Sequence, residues 1–238
     1  MREAIRNRIS RRTYEKKAFS SDEQMKMQNL IDKSNRASGL HIELLKDGGK
    51  AFNSFKKSYG LFSGVHTVIL MKGNKNDKHL QEKVGYYGED IILDLTDMNI
   101  GSCWVGGSFD KTAFQMYEDE SMVCVITIGY VPNQTAKEKI IRSVMSKKRK
   151  PIEKRIVSDT PLPEYIKLGL EAVRLAPSAV NSQKPKFRYD GNILTAEVSN
   201  DYAMDLVDLG IAKRHFEIEA GGHFDFGNGA AFHKSDRL

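Results

Sequence analysis

The pattern of hydrophobic and polar positions in the first part of the chain predicts a helix followed by a buried strand. Residues 20–23 read Ser-Ser-Asp-Glu, a capping-box pattern, and apolar residues at helical spacing follow it. A helix is therefore predicted from 22 to about 34. Residues 65–71 are almost wholly apolar, which predicts a buried strand that ends in a turn at 72–77.

The middle of the chain predicts a second helix, a second strand and a third helix. Apolar positions recur at helical spacing from 86 to 98, and a left-handed Gly101 is predicted to end this helix. Residues 123–130 read Val-Cys-Val-Ile-Thr-Ile-Gly-Tyr and predict a strand. Apolar positions at helical spacing return from about 161 to 175.

The last part of the chain predicts a β-hairpin, a helix and an apolar tail. The hairpin joins 187–189 to 193–198 through Asp-Gly-Asn, and the helix runs from 205 to 220. The tail carries three phenylalanines, Phe224, Phe226 and Phe232.

The order of these elements predicts an internal duplication. Each half opens with basic residues and a helix that leads into a loop, and each has a later helix with a glycine near its start, Gly88 in the first half and Gly210 in the second. The predicted boundaries are 1–148 for the first half and 149–238 for the second.

Length and composition predict a globular protein in a reducing compartment. The chain has 238 residues, of which 40% are hydrophobic, and no apolar run approaches the roughly 20 residues that span a bilayer. The N-terminus lacks an apolar signal region, so no membrane partner is expected and a cytoplasmic location fits. Cys103 and Cys124 are too few for a disulfide framework, and Cys103 is expected to be a buried thiol. The six histidines show no metal-site spacing, so no metal is predicted.

The net charge of +6 favours an anionic partner. Basic residues concentrate at 2–17 and 147–150, without the interleaved aromatic residues that stack nucleic-acid bases. Two compact basic clusters suit a small phosphorylated ligand better than a long polyanion. Nucleic-acid binding through 147–150 remains an alternative interpretation.

Two segments carry candidate chemistry. Residues 8–14, Arg-Ile-Ser-Arg-Arg-Thr-Tyr, place guanidinium groups beside a hydroxyl, which suits a phosphate monoester. Residues 176–183, Ala-Pro-Ser-Ala-Val-Asn-Ser-Gln, form a tight polar turn whose short side chains are able to bond the edge of a heteroaromatic ring. Together they suggest one flavin site.

These motifs resemble those of the nitroreductase family of FMN-dependent oxidoreductases. Its Arg-x-Ser-x-Arg-x-aromatic segment matches 8–14, and its Pro-Ser-x-x-Asn-x-Gln loop matches 177–183. Residues 99–107 resemble its Gly-Leu-Gly-x-x-Trp-x-Gly segment, and residues 147–151 resemble its late basic pair. The resemblance implies that the cofactor-binding residues are Arg8, Ser10, Arg12, Gly106, Gly107, Lys147, Arg149, Pro177, Ser178, Asn181 and Gln183.

The resemblance also implies an α+β fold with mixed sheets flanked by helices, an activity and an assembly. NADH or NADPH is the expected electron donor, a nitroaromatic, a quinone or another small molecule is the expected acceptor, and hydride passes through flavin N5 without a catalytic side chain. Family members are usually homodimers whose two FMN sites borrow residues from both subunits. Since this chain carries both sets of motifs, a monomeric pseudo-dimer of two fused halves is predicted.

The sequence departs from the family pattern in two places, and alternatives stay open. Residues 35–41 do not supply a second Pro-Ser-x-x-Asn loop, so the twin site is expected to be degenerate. Lys184-Pro185-Lys186 stands where the family usually has Pro-Trp. Alternative functions are a flavin-storing or sensing protein, and another chemistry of the same fold such as reductive dehalogenation or flavin destruction.

Overall fold

The chain forms two units, each with its own core. The computed structural model describes residues 1–53, 59–132, 140 and 149–235. Unit one contains Met1–Asn7, Gln81–Asp90 and the described part of Met145–Leu238, and unit two contains the described parts of Arg8–Leu80 and Ile91–Val144. These units are defined by which residues pack together. The predicted halves, 1–148 and 149–238, describe a duplication of the sequence, so the division into halves stays a prediction.

Unit two is built on a four-stranded antiparallel sheet in the order β1-β2-β4-β3. Its strands are β1 (Glu43–Leu45), β2 (Thr67–Asn74), β3 (Gly101–Val105) and β4 (Glu120–Gly129). Valine and leucine side chains of β2 and β4 pack with Phe52 and Phe109 in its core. The two predicted strands correspond to β2 and β4, whereas β1 and β3 were not predicted as strands.

Strand β2 continues beyond its predicted end, because the lysine that follows Met71 is buried and paired. The Lys72 ammonium lies 2.8 Å from a Glu120 carboxylate oxygen and 3.1 Å from one of Glu43. These carboxylates compensate the cost of burying the ammonium. The predicted turn at 72–77 therefore starts too early, since β2 runs to Asn74 with a bulge between Met71 and Lys72.

The capping box predicted the start of helix α2 correctly. A short helix α1 (Glu3–Asn7) precedes α2 (Ser21–Ser38). The Ser20 hydroxyl accepts the Glu23 main-chain N–H at 3.3 Å, and the Glu23 carboxylate accepts the Ser20 N–H at 2.8 Å. The helix is one turn longer than predicted and ends at Gly39, whose φ of +71° is left-handed.

Helix α3 (Leu80–Asp97) begins earlier than predicted and ends on a different residue. The left-handed residue after the helix is Asn99, with φ of +59°, and Gly101 instead begins β3. Asparagine tolerates this conformation better than most residues with a side chain. The prediction that Gly101 ends the helix is therefore wrong.

Unit one contains two further helices, a mixed sheet and a two-stranded ribbon. The helices are α4 (Glu164–Leu175) and α5 (Asp205–Ala220), and both were predicted. Strand β5 (Ile156–Ser158) runs parallel to β6 (Lys186–Tyr189), which forms the predicted hairpin with β7 (Leu194–Glu197). The predicted apolar tail forms an antiparallel ribbon of β8 (Gly222–Phe224) and β9 (Phe232–Lys234).

Phenylalanine rings form the centre of unit one. Phe187 of β6, Phe216 of α5, Phe224 of β8 and Phe232 of β9 are all buried. Their contacting rings have centroids 5.0 to 6.1 Å apart, in tilted, edge-on or stacked arrangements. The tail is thus part of the core, and the predicted α+β fold is confirmed.

Two glycines bring helices α3 and α5 into main-chain contact within unit one. A Cβ atom on Gly85 would lie 2.0 Å from the carbonyl oxygen of Val207, and one on Gly210 would lie 2.0 Å from that of Glu82. The contacts are reciprocal. Gly85 comes three residues after Glu82, and Gly210 comes three residues after Val207, so each helix offers a glycine and a carbonyl to the other in the same arrangement. The sequence comparison pairs Gly88 with Gly210, whereas these contacts pair Gly85 with Gly210.

Ionisable side chains from both helices are buried around this crossing. The Lys213 ammonium lies 2.5 Å from a Glu82 carboxylate oxygen, and His215 Nε2 lies 2.9 Å from one of Glu89. All four side chains are at most 3% exposed. Because burying a polar or charged group without a partner costs free energy, these pairs restrict how α3 and α5 can pack.

A transmembrane helix would need a long, continuous apolar stretch, and none of the helices in the described part of the chain has one.

We predict that Gly85→Ala lowers the free energy of unfolding by roughly 1–3 kcal/mol or more, because the added methyl overlaps the Val207 carbonyl. Alanine has the higher helix propensity, by about 1 kcal/mol, so propensity alone predicts the opposite sign. Gly107→Ala is the control, since a Cβ there meets nothing within 4 Å. Urea unfolding of the two variants measures the difference, and equal effects would contradict the close helix crossing.

Candidate functional site

The segment that contains Arg8, Ser10 and Arg12 runs alongside strand β3 in unit two. Ser10 forms a parallel bridge with Ser102, and the Arg11 N–H donates to the Ser102 carbonyl at 2.9 Å. Side chains alternate between the two faces of an extended segment. Arg8, Ser10 and Arg12 are therefore expected to share one face and Arg11 to occupy the other.

The surroundings of Cys103 place the first three side chains together. Burial raises the pKa of the Cys103 thiol, and the charges of Arg12 and Arg8 and a hydrogen bond with Ser10 oppose that rise. Arg11 points elsewhere, since its guanidinium donates to the Pro132 carbonyl at 2.7 Å. Two guanidinium groups and a hydroxyl thus converge on the middle of β3, beside a cysteine that stays a thiol at neutral pH.

Gly106 and Gly107 follow β3 directly and are exposed. A Cβ atom on Gly107 would meet nothing within 4 Å, and its φ does not lie in the left-handed region. Neither packing nor backbone conformation within this chain therefore requires a glycine at 107.

The loop after α4 in unit one has an unusual backbone. Val180, Asn181 and Gln183 have φ of +46°, +53° and +54°, which are left-handed values. Such values are rare for a residue with a side chain and costly for a β-branched one such as Val180. The loop needs support from neighbouring groups to keep this conformation.

Asp208 of α5 supplies part of that support. The Ala179 N–H lies 3.0 and 3.1 Å from the two carboxylate oxygens of Asp208, and the Ser182 hydroxyl donates to one of them at 3.3 Å. Asp208 is only 2% exposed. Burial raises the pKa of Asp208 to about 7, although the bonds from Ala179 and Ser182 oppose this rise.

Gln183 fixes the other end of the loop. Its N–H donates to the Ser178 hydroxyl oxygen at 2.9 Å. Its buried side-chain oxygen accepts the Lys150 N–H at 2.9 Å and the Arg155 guanidinium at 2.8 Å. Ser178 and Gln183 thus have partners that shape the loop, and their contact with a ligand stays a prediction.

The basic segment before β5 also contacts this loop. The Arg149 guanidinium donates to the Ala176 carbonyl at 2.7 Å, and the Lys150 ammonium donates to the carbonyls of Ser182 and Gln183 at 3.1 Å. Lys147, the other basic residue predicted for the site, lies outside the described residues. Arg149 therefore contacts the loop, whereas its binding of a cofactor stays a prediction.

Lys184, which departs from the family pattern, is directed toward the start of α5. Its ammonium lies 2.8 Å from an Asp205 carboxylate oxygen and 3.9 Å from the centroid of the Tyr202 ring. The pair of Lys184 with Asp205 holds the chain immediately after the loop.

The predicted site residues form two groups, each assembled within its own unit. In unit two the group is Arg8, Ser10, Arg12, Gly106 and Gly107, and in unit one it is Arg149, Pro177, Ser178, Asn181 and Gln183. The cavity under the loop in unit one is about 10 Å³, which is room for a single water and not for an aromatic ring.

Asp208 and Arg155 support the loop, and sequence reasoning missed both. Asp208 stands between Val207 and Leu209 in an apolar stretch of α5, and a carboxylate in such a place signals a buried partner. The sequence gives a weaker signal that Arg155 is a buried supporting residue. Its buried Nε has no hydrogen-bond partner among the residues described, and burial first, then the charges of Arg149 and Arg174, lower the pKa of Arg155 to about 10.

Comparisons with known proteins identify relatives of this chain. The family model described as "Putative TM nitroreductase" matches residues 1–220. A crystal structure described as a putative nitroreductase from Thermotoga maritima is 23% identical and has a TM-score of 0.63, over 97% of this chain and 90% of that chain. This likeness shows the fold. None of the curated proteins matches the chain significantly.

Other solved structures match a smaller part of the chain. A putative NADH oxidase from Clostridium acetobutylicum is 20% identical with a TM-score of 0.45, over 55% of this chain and 89% of that chain. An FMN-dependent nitroreductase from Clostridium difficile is 17% identical with a TM-score of 0.47, over 57% of this chain and 90% of that chain.

We predict that Asp208→Asn changes how stability depends on pH. With a pKa of about 7, Asp208 keeps its proton at pH 5 in the native protein. In the unfolded chain the same carboxyl has its ordinary pKa of about 4 and has lost most of the proton at that pH. This contribution to the free energy of unfolding is present at pH 5 and is lost as the pH rises through 7. Urea unfolding should show that, when the pH falls from 8 to 5, the free energy of unfolding of the parent rises by about 2–3 kcal/mol relative to that of the variant. A relative loss would mean that Asp208 is held as a carboxylate.

Proposed function

This chain belongs to the nitroreductase family whose model matches residues 1–220, and from that premise we propose that it is an FMN-dependent oxidoreductase. The electron donor is NADH or NADPH, and the acceptor is a nitroaromatic, a quinone or another small molecule. Bound FMN would supply reversible hydride chemistry at N5. The residues of this chain bind and orient, and none acts as a catalytic acid or base.

The observation that carries the proposal is the convergence of Arg8, Ser10 and Arg12 beside β3. Two guanidinium groups offer forked donors of fixed charge, and a hydroxyl adds a short hydrogen bond. This donor set fits the terminal phosphate of FMN. Ser10 is exposed and Arg12 is half-buried, so a phosphate has access to them.

The glycines after β3 fit the approach of a flat ring. Because a Cβ on Gly107 would meet no protein atom within 4 Å, the open space beside the main chain is available to a ligand. Glycine at this position is thus explained by the proposed flavin and not by the packing of the chain.

The left-handed loop of unit one fits recognition of a ring edge. Asp208 and Arg155 hold the loop from inside, so contacts within the protein support its left-handed conformation. In the proposal Asn181 and the exposed main chain bond the pyrimidine edge of the flavin, while Ser178 and Gln183 keep the loop in shape. Arg149 belongs to this group through its bond to Ala176.

We also propose that one chain corresponds to a dimer of ordinary family members. The reciprocal contacts of Gly85 and Gly210 support this, since reciprocity is the signature of a two-fold interface. Leu80 and Asp205, the first residues of α3 and α5, are separated along the sequence by the same number of residues as Gly85 and Gly210. Two helices of common origin would keep such a register.

The proposal is tested by the absorbance spectrum and mass of the freshly purified chain. We expect a yellow protein that releases FMN, that NADH or NADPH bleaches without oxygen, and that carries one FMN on a monomer of 26.9 kDa. A chain that takes up no FMN on reconstitution would refute flavin binding. Flavin that no nicotinamide donor reduces would refute turnover, and flavin held only by a dimer would refute the pseudo-dimer.

We predict that Arg12→Ala weakens FMN binding roughly tenfold to a hundredfold, because a charged hydrogen bond contributes about 1.5–3 kcal/mol. Arg11→Ala is the matched control. Arg11 is the neighbouring arginine of the same extended segment, but its guanidinium donates to Pro132. Fluorescence titration of FMN measures both variants, and equal losses of affinity would show that the phosphate is not bound at the Arg12 face.

A further inference from the structure

The ribbon of β8 and β9 at the end of unit one has two chemically different faces. Phe224 and Phe232 point inward and are buried in the phenylalanine core. His223 and His233, their chain neighbours, form a cross-strand pair on the opposite face, where both are exposed. Asp225 follows His223 by two positions, so strand alternation places it on the same face.

The ligand-forming atoms of this face are close together. One atom from each of His223, Asp225 and His233 lies within 4.8 Å of the others. His233 Nε2 is 2.8 Å from an Asp225 carboxylate oxygen, and the two imidazole rings are stacked with centroids 5.1 Å apart. Adjacent ligands of a metal with bonds of about 2.1 Å are separated by about 3 Å. Only small shifts of exposed side chains are therefore needed to surround an ion.

We propose that His223, Asp225 and His233 bind a divalent transition metal, of which Zn²⁺ is the expected ion. Two imidazoles and one carboxylate suit zinc, copper or nickel, whereas calcium and magnesium prefer sets made only of oxygen ligands. Water completes the coordination, since all three residues are exposed. The site is independent of the proposed flavin.

The main chain that carries the ligands is already fixed. The Lys213 ammonium of α5 donates to the carbonyls of Asp225 and Gly227 at 3.0 and 2.8 Å. The buried phenylalanines hold both strands from the other face. A metal bound here would link β8 to β9 and stabilise the end of the chain, because an ion that binds only the native state adds its binding free energy to stability.

Sequence spacing did not reveal this group, and no metal was predicted. His223 and His233 stand on different strands of the ribbon and are ten positions apart in the sequence, so they form no His-x-x-x-His pattern. Their pairing follows from the register of β8 with β9, which places them directly opposite each other. Each strand has one phenylalanine that faces the core, Phe224 in β8 and Phe232 in β9, and these two residues fix the register.

Isothermal titration of the full, tag-free chain with ZnCl₂ tests the proposal. We expect one Zn²⁺ per chain, an affinity reduced at least about tenfold by His223→Ala and by His233→Ala, and a rise in melting temperature with Zn²⁺ that both variants lose. All three side chains are exposed, so the variants should fold like the parent.

His66→Ala is the matched control, because His66 is an exposed histidine 3.5 Å from the Asp47 carboxylate but belongs to no described group of three ligands. It should leave zinc binding unchanged. Absence of binding, or equal weakening by His66→Ala and His223→Ala, would overturn the proposal. Neither result depends on flavin, so failure of this site is distinguishable from failure of the proposed function.

Discussion

The close crossing of α3 and α5 is the constraint on which unit one depends. The two helices approach until main chain meets main chain, and this distance exists only because Gly85 and Gly210 lack a Cβ atom. Helix α5 is then buried on nearly all sides, although it carries several charged residues. Such a helix is stable only if its buried ionisable groups have partners, which Glu82 supplies to Lys213 and Glu89 to His215.

Helix α5 therefore supports both candidate sites of unit one. Asp208, two residues before the crossing glycine, holds the left-handed loop through Ala179 and Ser182. Lys213, three residues after it, holds the main chain of the ribbon at Asp225. A change that separates the two helices would thus disturb both segments. Both sites proposed at the surface of this unit thus rest on polar contacts made in its interior.

The basic face beside β3 depends on a different device. Arg8, Ser10 and Arg12 meet because an extended segment pairs with Ser102 and turns alternate side chains to one side. Arg11 shares the charge of its neighbours but faces Pro132. Position on one face of an extended segment, and not the number of arginines, decides which of them face the proposed phosphate site.

The sequence alone determined what depends on near neighbours. Ser20 and Glu23 set the start of α2, and the helical spacing of apolar residues set α4, since these signals act within a few residues. Tertiary structure alone decided that Lys72 continues a strand beside Glu120, that Asp208 supports the loop, and that His223 meets His233. Each of these outcomes depends on burial or on pairing between different elements of the structure, and no local pattern encodes the partner that compensates a buried charge.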